Sequence, residues 1–299
     1  MAVARQETGG LPAQLTPKQI DMVLANVDTA GLDEQEKLEL AGILWDDFQR
    51  TSKSVEFKPQ RIKIVKDTQM FTDPFGNSFE ELRGVVIAQS PTRGLWERGS
   101  NDKRPLCSST DGKTGQEQAG DDGTPGRIKP CATCEYNQWG SAIDEQGNLR
   151  QGKACKEMRR IFIKRPEDMF PYFISLPPTS IGAWDNYISA RLSSGISDIK
   201  AEVVLTLASS SIGGYDVSVV KPRNGRIFKP AEIVENAQMA KKFAPELLAR
   251  DIEADDYFTE NDEDTGDTPL GHSPDSEPEE VSDKAMEFNP EKLETDPLF

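Results

Sequence analysis

The chain is poor in the residues that most enzymes use for proton transfer. Its 299 residues include one histidine, His272, which lies in an acidic C-terminal stretch and cannot serve a folded core as a base. This scarcity largely excludes histidine-dependent acid–base and nucleophilic chemistry. A metal-dependent nuclease could use Asp and Glu alone, but no spaced acidic pair stands in a recognisable strand–helix frame. No GxxxxGK[ST] phosphate loop occurs either. We therefore predict a non-catalytic protein.

Long apolar runs are also missing. No run of 18 apolar residues exists, so the sequence predicts no membrane-spanning helix. The first ten residues lack the apolar core of a signal peptide, and we expect the protein to stay in the cytoplasm. A chain of this length has room for one domain with appendages or for two small domains.

Cysteine is scarce but spaced in a way that predicts a metal site. Cys131 and Cys134 form a CxxC motif, with Cys107 before it and Cys155 after it. Two intervening residues let both sulfurs approach one ion at about 2.3 Å, and the two single cysteines would complete a tetrahedral structural zinc site. The polar intervals between them have few apolar side chains with which to build a core. A redox CxxC and four free thiols remain the alternatives, although a redox motif should open a helix in a βαβ unit.

The hydrophobic pattern predicts a mainly β protein with flanking helices, of the α+β class. Residues 1–14 are expected to form a flexible arm, and residues 15–52 two helices, the first capped by Thr16. The remaining elements are predicted in chain order as strands at 61–66, 82–89, 95–98, 160–165 and 171–176, a helix at 179–192, a hairpin of 201–207 with 215–220, and a helix at 231–250. Pro91 and Gly94 separate the second strand from the third, and Pro177-Pro178 precedes the helix at 179–192.

This order of elements favours a small closed barrel of the OB type, with a β-sandwich as the competing interpretation. The barrel domain would span residues 55–250. A polar, glycine-rich insertion at about 99–156 interrupts the strands and holds the four cysteines.

The acidity of the chain is concentrated in its last fifty residues. Residues 251–299 contain eighteen acidic and two basic side chains, which leaves residues 1–250 with 33 of each sign. The stretch ends in Asp296, Pro297, Leu298 and Phe299. It is predicted to be a disordered acidic tail, and a plain solubilising role is the alternative. The ending resembles the tail of bacterial and phage single-stranded DNA-binding proteins, which competes with DNA and offers its terminal Phe to partner proteins.

The cysteine-containing strings carry a second resemblance. They are Arg104-Pro-Leu-Cys-Ser-Ser109, Cys131-Ala-Thr-Cys-Glu-Tyr-Asn-Gln-Trp-Gly-Ser141 and Gly152-Lys-Ala-Cys-Lys156, followed by Arg159-Arg160. Over about residues 55–225 the chain resembles a family of phage and prophage single-stranded DNA-binding proteins with a metal-binding insertion. The resemblance implies an OB-type fold, a role in phage DNA replication or recombination, and a bacterial host cell.

Binding of a single DNA strand without sequence preference needs cations for the phosphates and aromatic faces for the bases. Two clusters supply both. The first cluster comprises Tyr136, Trp139, Lys153, Lys156, Arg159, Arg160, Phe162 and Lys164. The second comprises Tyr215, Lys221, Arg223 and Arg226, with Lys58, Arg61, Lys63 and Trp96 as expected neighbours. The alternative for each aromatic residue is core packing, and for the cations a solvated face.

The partners predicted from these patterns are single-stranded DNA and, through the tail, replication or recombination proteins. A zinc-containing interaction or transcription adaptor, in which the insertion is the working surface, is the second hypothesis. The sequence leaves a homo-oligomer open.

Overall fold

A computed structural model of the chain describes residues 15–25, 27–55, 58–97, 104–120, 123–143, 148–150, 152–212 and 215–253. The fold is mixed α/β, with mostly antiparallel sheets and few helices. The helices are α1 (Pro17–Val23), α2 (Glu34–Ser52), α3 (Pro178–Ser193) and α4 (Pro230–Ala249). The strands are β1 (Lys63–Val65), β2 (Met70–Thr72), β3 (Ser78–Phe79), β4 (Leu82–Leu95), β5 (Cys107–Ser109), β6 (Thr114–Glu117), β7 (Ile128–Pro130), β8 (Ala142–Ile143), β9 (Leu149–Arg150), β10 (Lys156–Lys164), β11 (Tyr172–Leu176), β12 (Ala201–Ile212) and β13 (Tyr215–Ile227).

The two predicted N-terminal helices form, and each begins at a capping box. The Thr16 hydroxyl accepts a hydrogen bond from the Gln19 amide, while the Gln19 side chain accepts one from the Thr16 amide. Asp33 and Glu36 make the same reciprocal pair at the start of α2. These bonds satisfy amides that have no partner within the helix, which is why both helices start where they do.

The central strand β4 corrects the sequence prediction of two strands separated by Pro91 and Gly94. It runs unbroken from Leu82 to Leu95 and pairs with β10 over most of its length. Its other edge is paired with β12 only at residues 82–84 and with β5 only at residues 93–95. Pro91 therefore lies where β4 has one neighbour among the described residues, and the missing proline N–H is tolerated there.

Alternation along β10 gives the main sheet two buried faces. Ile161 and Ile163 pack with Trp184 of α3 in one core cluster. Phe162 points to the opposite face, where it packs with Phe173 and with Leu247 of α4. Successive side chains of a strand point to opposite faces, so a strand covered on both sides buries a continuous apolar run. Close contact of β4 with β10 requires Gly84, because a Cβ there would lie 2.3 Å from the Lys164 carbonyl oxygen.

The expected closed barrel is not what the sheet forms. The strand order is β11, β10, β4, β5, β6 and β7, and the hairpin of β12 and β13 branches from β4. Among the described residues, β7 pairs only with β6, and β13 pairs only with β12. The sheet therefore stays open, because the strands of the cysteine-bearing insertion extend it away from the hairpin instead of interrupting it.

The C-terminal part of the described chain is anchored to the sheet by Arg160. This side chain is only 1% exposed, and it donates hydrogen bonds to the carbonyls of Arg250 at 2.8 Å and Asp251 at 3.2 Å. Ile252 is buried beside Met158 and Trp96. The folded unit therefore reaches at least to Glu253. None of the described helices combines the length and apolar character needed to cross a bilayer.

Candidate metal centre and nucleic-acid interface

The four cysteines line one cavity of about 620 Å³ at the base of the insertion. Cys107 is the first residue of β5, Cys131 begins a single 3₁₀ turn that Cys134 ends, and Cys155 immediately precedes β10. Gly115 of β6 keeps the cavity open, because a Cβ at this position would lie 3.0 Å from the Cys107 sulfur and 3.5 Å from that of Cys131. The tertiary structure thus gathers thiols that are up to 48 positions apart in the chain.

Burial and mutual proximity make the thiolate forms of these cysteines costly without a counter-charge. The pKa of Cys155 is raised to about 12, chiefly by burial; Arg93 opposes this shift, and the neighbouring Cys131 and Cys107 contribute to it. Burial, followed by Cys131 and Cys134, likewise raises the pKa of Cys107. A cation placed among the sulfurs would reverse this preference and favour thiolates.

The cysteines are free and are not drawn together into a finished coordination sphere. Within the described ranges, no group of three or more His, Cys, Asp or Glu side chains is arranged to hold a metal ion. All four described cysteines are free thiols without a disulfide. The donor set suits zinc, since four soft sulfur ligands are the composition of a structural zinc site. Zinc binding would need the sulfurs to move closer together around the cavity.

The part of the insertion beside the cysteines brings together four of the predicted DNA-binding residues. Tyr136 and Trp139 are 42% and 56% exposed. Lys153 reaches Asn137, the residue after Tyr136, at 3.3 Å from the asparagine Oδ1, and Lys156 donates to the Lys153 carbonyl, also at 3.3 Å. We call this surface the insertion face and define it by Tyr136, Trp139, Lys153 and Lys156.

Two residues predicted to join this surface are buried elsewhere. Phe162 is 0% exposed in the core against α4, so its ring is not available for stacking on a base. Arg160 is bound to the chain carbonyls at residues 250 and 251 on that same side of the sheet. The prediction of DNA contacts by these two side chains is corrected, because strand alternation turns them away from Arg159.

Arg159 lies on the α3 side of the sheet and is already paired. Its Nη2 donates to both carboxylate oxygens of Asp185, at 2.7 and 2.9 Å. Its cross-strand neighbour on β4 is Pro91. Two residues before Arg159 on β10, Glu157 lies opposite Arg93 and forms an ion pair with it at 2.7 Å. The arginines along this edge, Arg159 and Arg93, are therefore held in ion pairs.

The second predicted cluster lies on the β12–β13 hairpin, and part of it shares one side of β13. Lys221 is exposed and stands two residues before Arg223 on that strand. Arg226 stacks over the Phe228 ring at 4.8 Å and is held by Glu232. The Arg226 guanidinium is the first cause that lowers the pKa of Glu232 to about 2. Only the backbone of Tyr215 is described, so the expected role of its ring lies outside the described side chains.

The remaining predicted residues are dispersed. Lys58 is exposed before β1, where Lys63 is half-buried, and Arg61 forms an isolated bridge to Phe173 of β11. Lys164 donates to the Arg165 carbonyl at 3.1 Å, and Trp96 packs with Met158 and Ile252. Asp296, Pro297, Leu298 and Phe299 lie outside the described residues.

Sequence reasoning missed two arginines that the structure places at these surfaces. Arg93 donates to Asn137, Glu157 and the Gly112 carbonyl, and it connects β4 to the insertion. Arg83 is the second residue of the same strand and shares Glu81 with Arg223 of the hairpin. The partners of both arginines follow only from the pairing of this strand.

Comparison with known proteins gives no relative from which a function could be transferred. No family model, no curated protein and no solved structure matches this chain. The functional argument therefore rests on the geometry of the residues described above.

Proposed function

We propose that the chain is a non-catalytic single-stranded DNA-binding protein whose insertion is held by a structural zinc ion. The observation that carries the proposal is the insertion face, where backbone hydrogen bonds from Cys155 to Tyr136 and from Gly140 to Gly152 join the segment of the two exposed aromatic residues to the segment of the two lysines. Exposed rings accept bases by stacking, and the lysines neutralise phosphates, without any need to read sequence.

Zinc would act here as a structural ion. Cys107, Cys131, Cys134 and Cys155 would hold it as thiolates and fix the turn that presents Tyr136 and Trp139. The position of all four cysteines around one cavity supports this assignment, and a count of about one zinc per chain is expected for one tetrahedral set. Elemental analysis of protein prepared without chelators tests it, and absence of zinc would remove the metal from the proposal.

The remaining parts of the function continue the sequence predictions as proposals. The order of strands around α3, which follows β11 and precedes β12, supports a distant OB-type relationship. The acidic tail would compete with DNA for the cationic surfaces through its charge, and its Phe299 would recruit a replication or recombination partner. Phage DNA metabolism in a bacterial cytoplasm is the setting that the resemblance favours.

An interaction adaptor is the second candidate function, and the insertion has an observation that favours it. Ile128, Ile143 and Leu149 are 71%, 52% and 78% exposed on the same segment. Apolar side chains exposed together commonly mark protein interfaces. An adaptor would bind a protein partner through this segment and show no preference for single-stranded DNA.

Fluorescence anisotropy with single-stranded, duplex and RNA oligomers separates the two candidates. We expect Trp139→Ala to weaken single-stranded DNA binding by about 1–3 kcal/mol, the usual range for loss of one base–aromatic stack. The matched control is Leu149→Ala, which removes an exposed apolar side chain from the same segment and should leave affinity unchanged. Equal affinity of wild type and Trp139→Ala would reject the insertion face as the binding surface.

A further inference from the structure

The Glu81 carboxylate, on the hairpin side of the sheet, is hydrogen-bonded by two arginines from different strands, Arg83 and Arg223. Arg83 Nε donates to Oε2 of Glu81 at 2.9 Å, and Arg83 Nη2 contacts the same oxygen. Arg223 Nη2 donates to the other oxygen, Oε1, at 2.7 Å. Both oxygens of one anion are thus held by two guanidinium groups, the arrangement by which arginines also hold phosphate oxygens.

Strand register explains why the two arginines converge. Val204 of β12 is opposite Arg83 on one neighbouring strand and opposite Arg223 on the other. Residues directly opposite one another in antiparallel strands point to the same face, so the two guanidinium groups flank a single line across the sheet. The register fixes the separation of the two Cα atoms, so both arginines would remain on this face without Glu81.

The two arginines are accessible to solvent, and Glu81 could be displaced from them by another anion. The side chains of Glu81, Arg83 and Arg223 are 35%, 46% and 51% exposed. Glu81 precedes the first residue of β4, so its side chain can leave without breaking a strand. Arg83 also has a weaker contact with Glu202 at 3.8 Å, and that carboxylate is only 11% exposed. Glu202 would therefore remain as a fixed negative neighbour.

We propose that Arg83 and Arg223 form a phosphodiester-binding site for single-stranded DNA, in which Glu81 is the resident competitor. The proposal rests on the proposed function and adds a site to it. Exposed Lys221, on the same side of β13 as Arg223, extends the cationic surface along the strand. This extension suits a polyanionic strand better than an isolated phosphate ion.

Replacing the competitor with a neutral isostere is the decisive test. We expect Glu81→Gln to tighten binding of an oligothymidine by about three- to tenfold at low salt, because removing one resident anion frees two exposed ion pairs. The gain should shrink as salt screens the arginines. Asp47→Asn is the matched control, since it removes the same charge from an exposed ion pair with Arg50 on α2. Melting temperatures establish that both variants are folded, and Glu81→Ala serves as a second variant.

Two further arms distinguish the outcomes. Arg223→Gln should weaken binding and abolish the gain from Glu81→Gln when the two are combined. Calorimetric titration of Glu81→Gln with inorganic phosphate should show no saturable binding, and saturation at millimolar phosphate would overturn the assignment to a strand. Wild-type affinity for DNA with no gain in Glu81→Gln beyond that of Asp47→Asn would overturn this site alone. Absence of DNA binding by both proteins would overturn the proposed function with it.

Discussion

The main sheet and the cysteine insertion are stabilised in different ways. The sheet is covered on both faces by apolar packing. Ile161 is completely buried against Trp184 of α3 on one face, and Phe162 is completely buried beside Leu247 of α4 on the other. Between residues 104 and 155, the buried apolar side chains in the described part of the chain are Cys131 and Cys155. The thiols thus occupy the place of a core in the insertion. A region with so little apolar burial needs another source of stability, and bound metal is the usual one.

The largest expected effect is the loss of folded structure in the insertion when one of its cysteines is replaced. Cys131→Ser should lower bound zinc from about one ion per chain to none and remove amide protection across residues 104–143. The reason is that metal binding supplies the folding free energy of such segments, about 10–16 kcal/mol in zinc-finger peptides. Hydrogen exchange with mass spectrometry would show residues 158–176 still protected. Ala132→Ser is the control, since it places the same hydroxyl at the adjacent exposed position. Unchanged exchange in Cys131→Ser would mean that the insertion does not depend on its thiols.

The next largest effect is a loss of stability when a buried side chain of the sheet is truncated. Phe162→Ala should lower the free energy of unfolding by about 3–5 kcal/mol, because a fully buried aromatic side chain leaves a cavity. Leu149→Ala, at an insertion side chain that is 78% exposed, should change it by less than about 0.5 kcal/mol. Urea unfolding followed by circular dichroism measures both. A Phe162→Ala variant of normal stability but impaired DNA binding would restore the stacking role that its burial argues against.

The smallest expected effect is on the pH dependence of stability, which differs between the two regions because each contains titratable groups with raised pKa values. In the insertion, the proposed zinc ion would lower the raised pKa values of the thiols by favouring their thiolate forms. Beside the sheet, in the connection between α3 and β12, burial raises the pKa of Asp198 above its ordinary value of 3.8, and hydrogen bonding from Gln89 of β4 only partly opposes this shift. The unfolded chain therefore loses this proton first as pH rises, so the Asp198 contribution to stability declines between 3.8 and the raised pKa.

Asp198→Asn should remove that decline while keeping an acceptor for Gln89. We expect the variant to gain stability relative to wild type as pH rises from 3.5 to 7, by less than about 1 kcal/mol. Thermal unfolding across this pH range gives the measurement, with Asp185→Asn as the control for an exposed carboxylate. A variant that loses stability towards neutral pH would show that the ionised Asp198 is favourable in the fold.

The helices illustrate what local sequence can predict. Thr16 predicts the start of α1, and the structure adds the capping box that it completes with Gln19 within four residues. The pair Pro177-Pro178 marks the start of α3 by an equally local signal, since proline is tolerated in the first turn of a helix. The predicted break at Pro91 was wrong, because tolerance of proline in a strand depends on whether a second strand lies beside it. That neighbour is distant in sequence.

The candidate sites divide in the same way. Cysteine spacing, the scarcity of histidine and the separation of charge into a neutral body and an acidic tail belong to the sequence alone, since they require only residue identity and order. Whether Arg159 and Arg160 share a surface, whether Phe162 is exposed, and which carboxylate faces Arg83 and Arg223 depended on strand pairing. Tertiary structure decided these points because the side-chain period of two and the register between strands, not proximity along the chain, determine which groups meet.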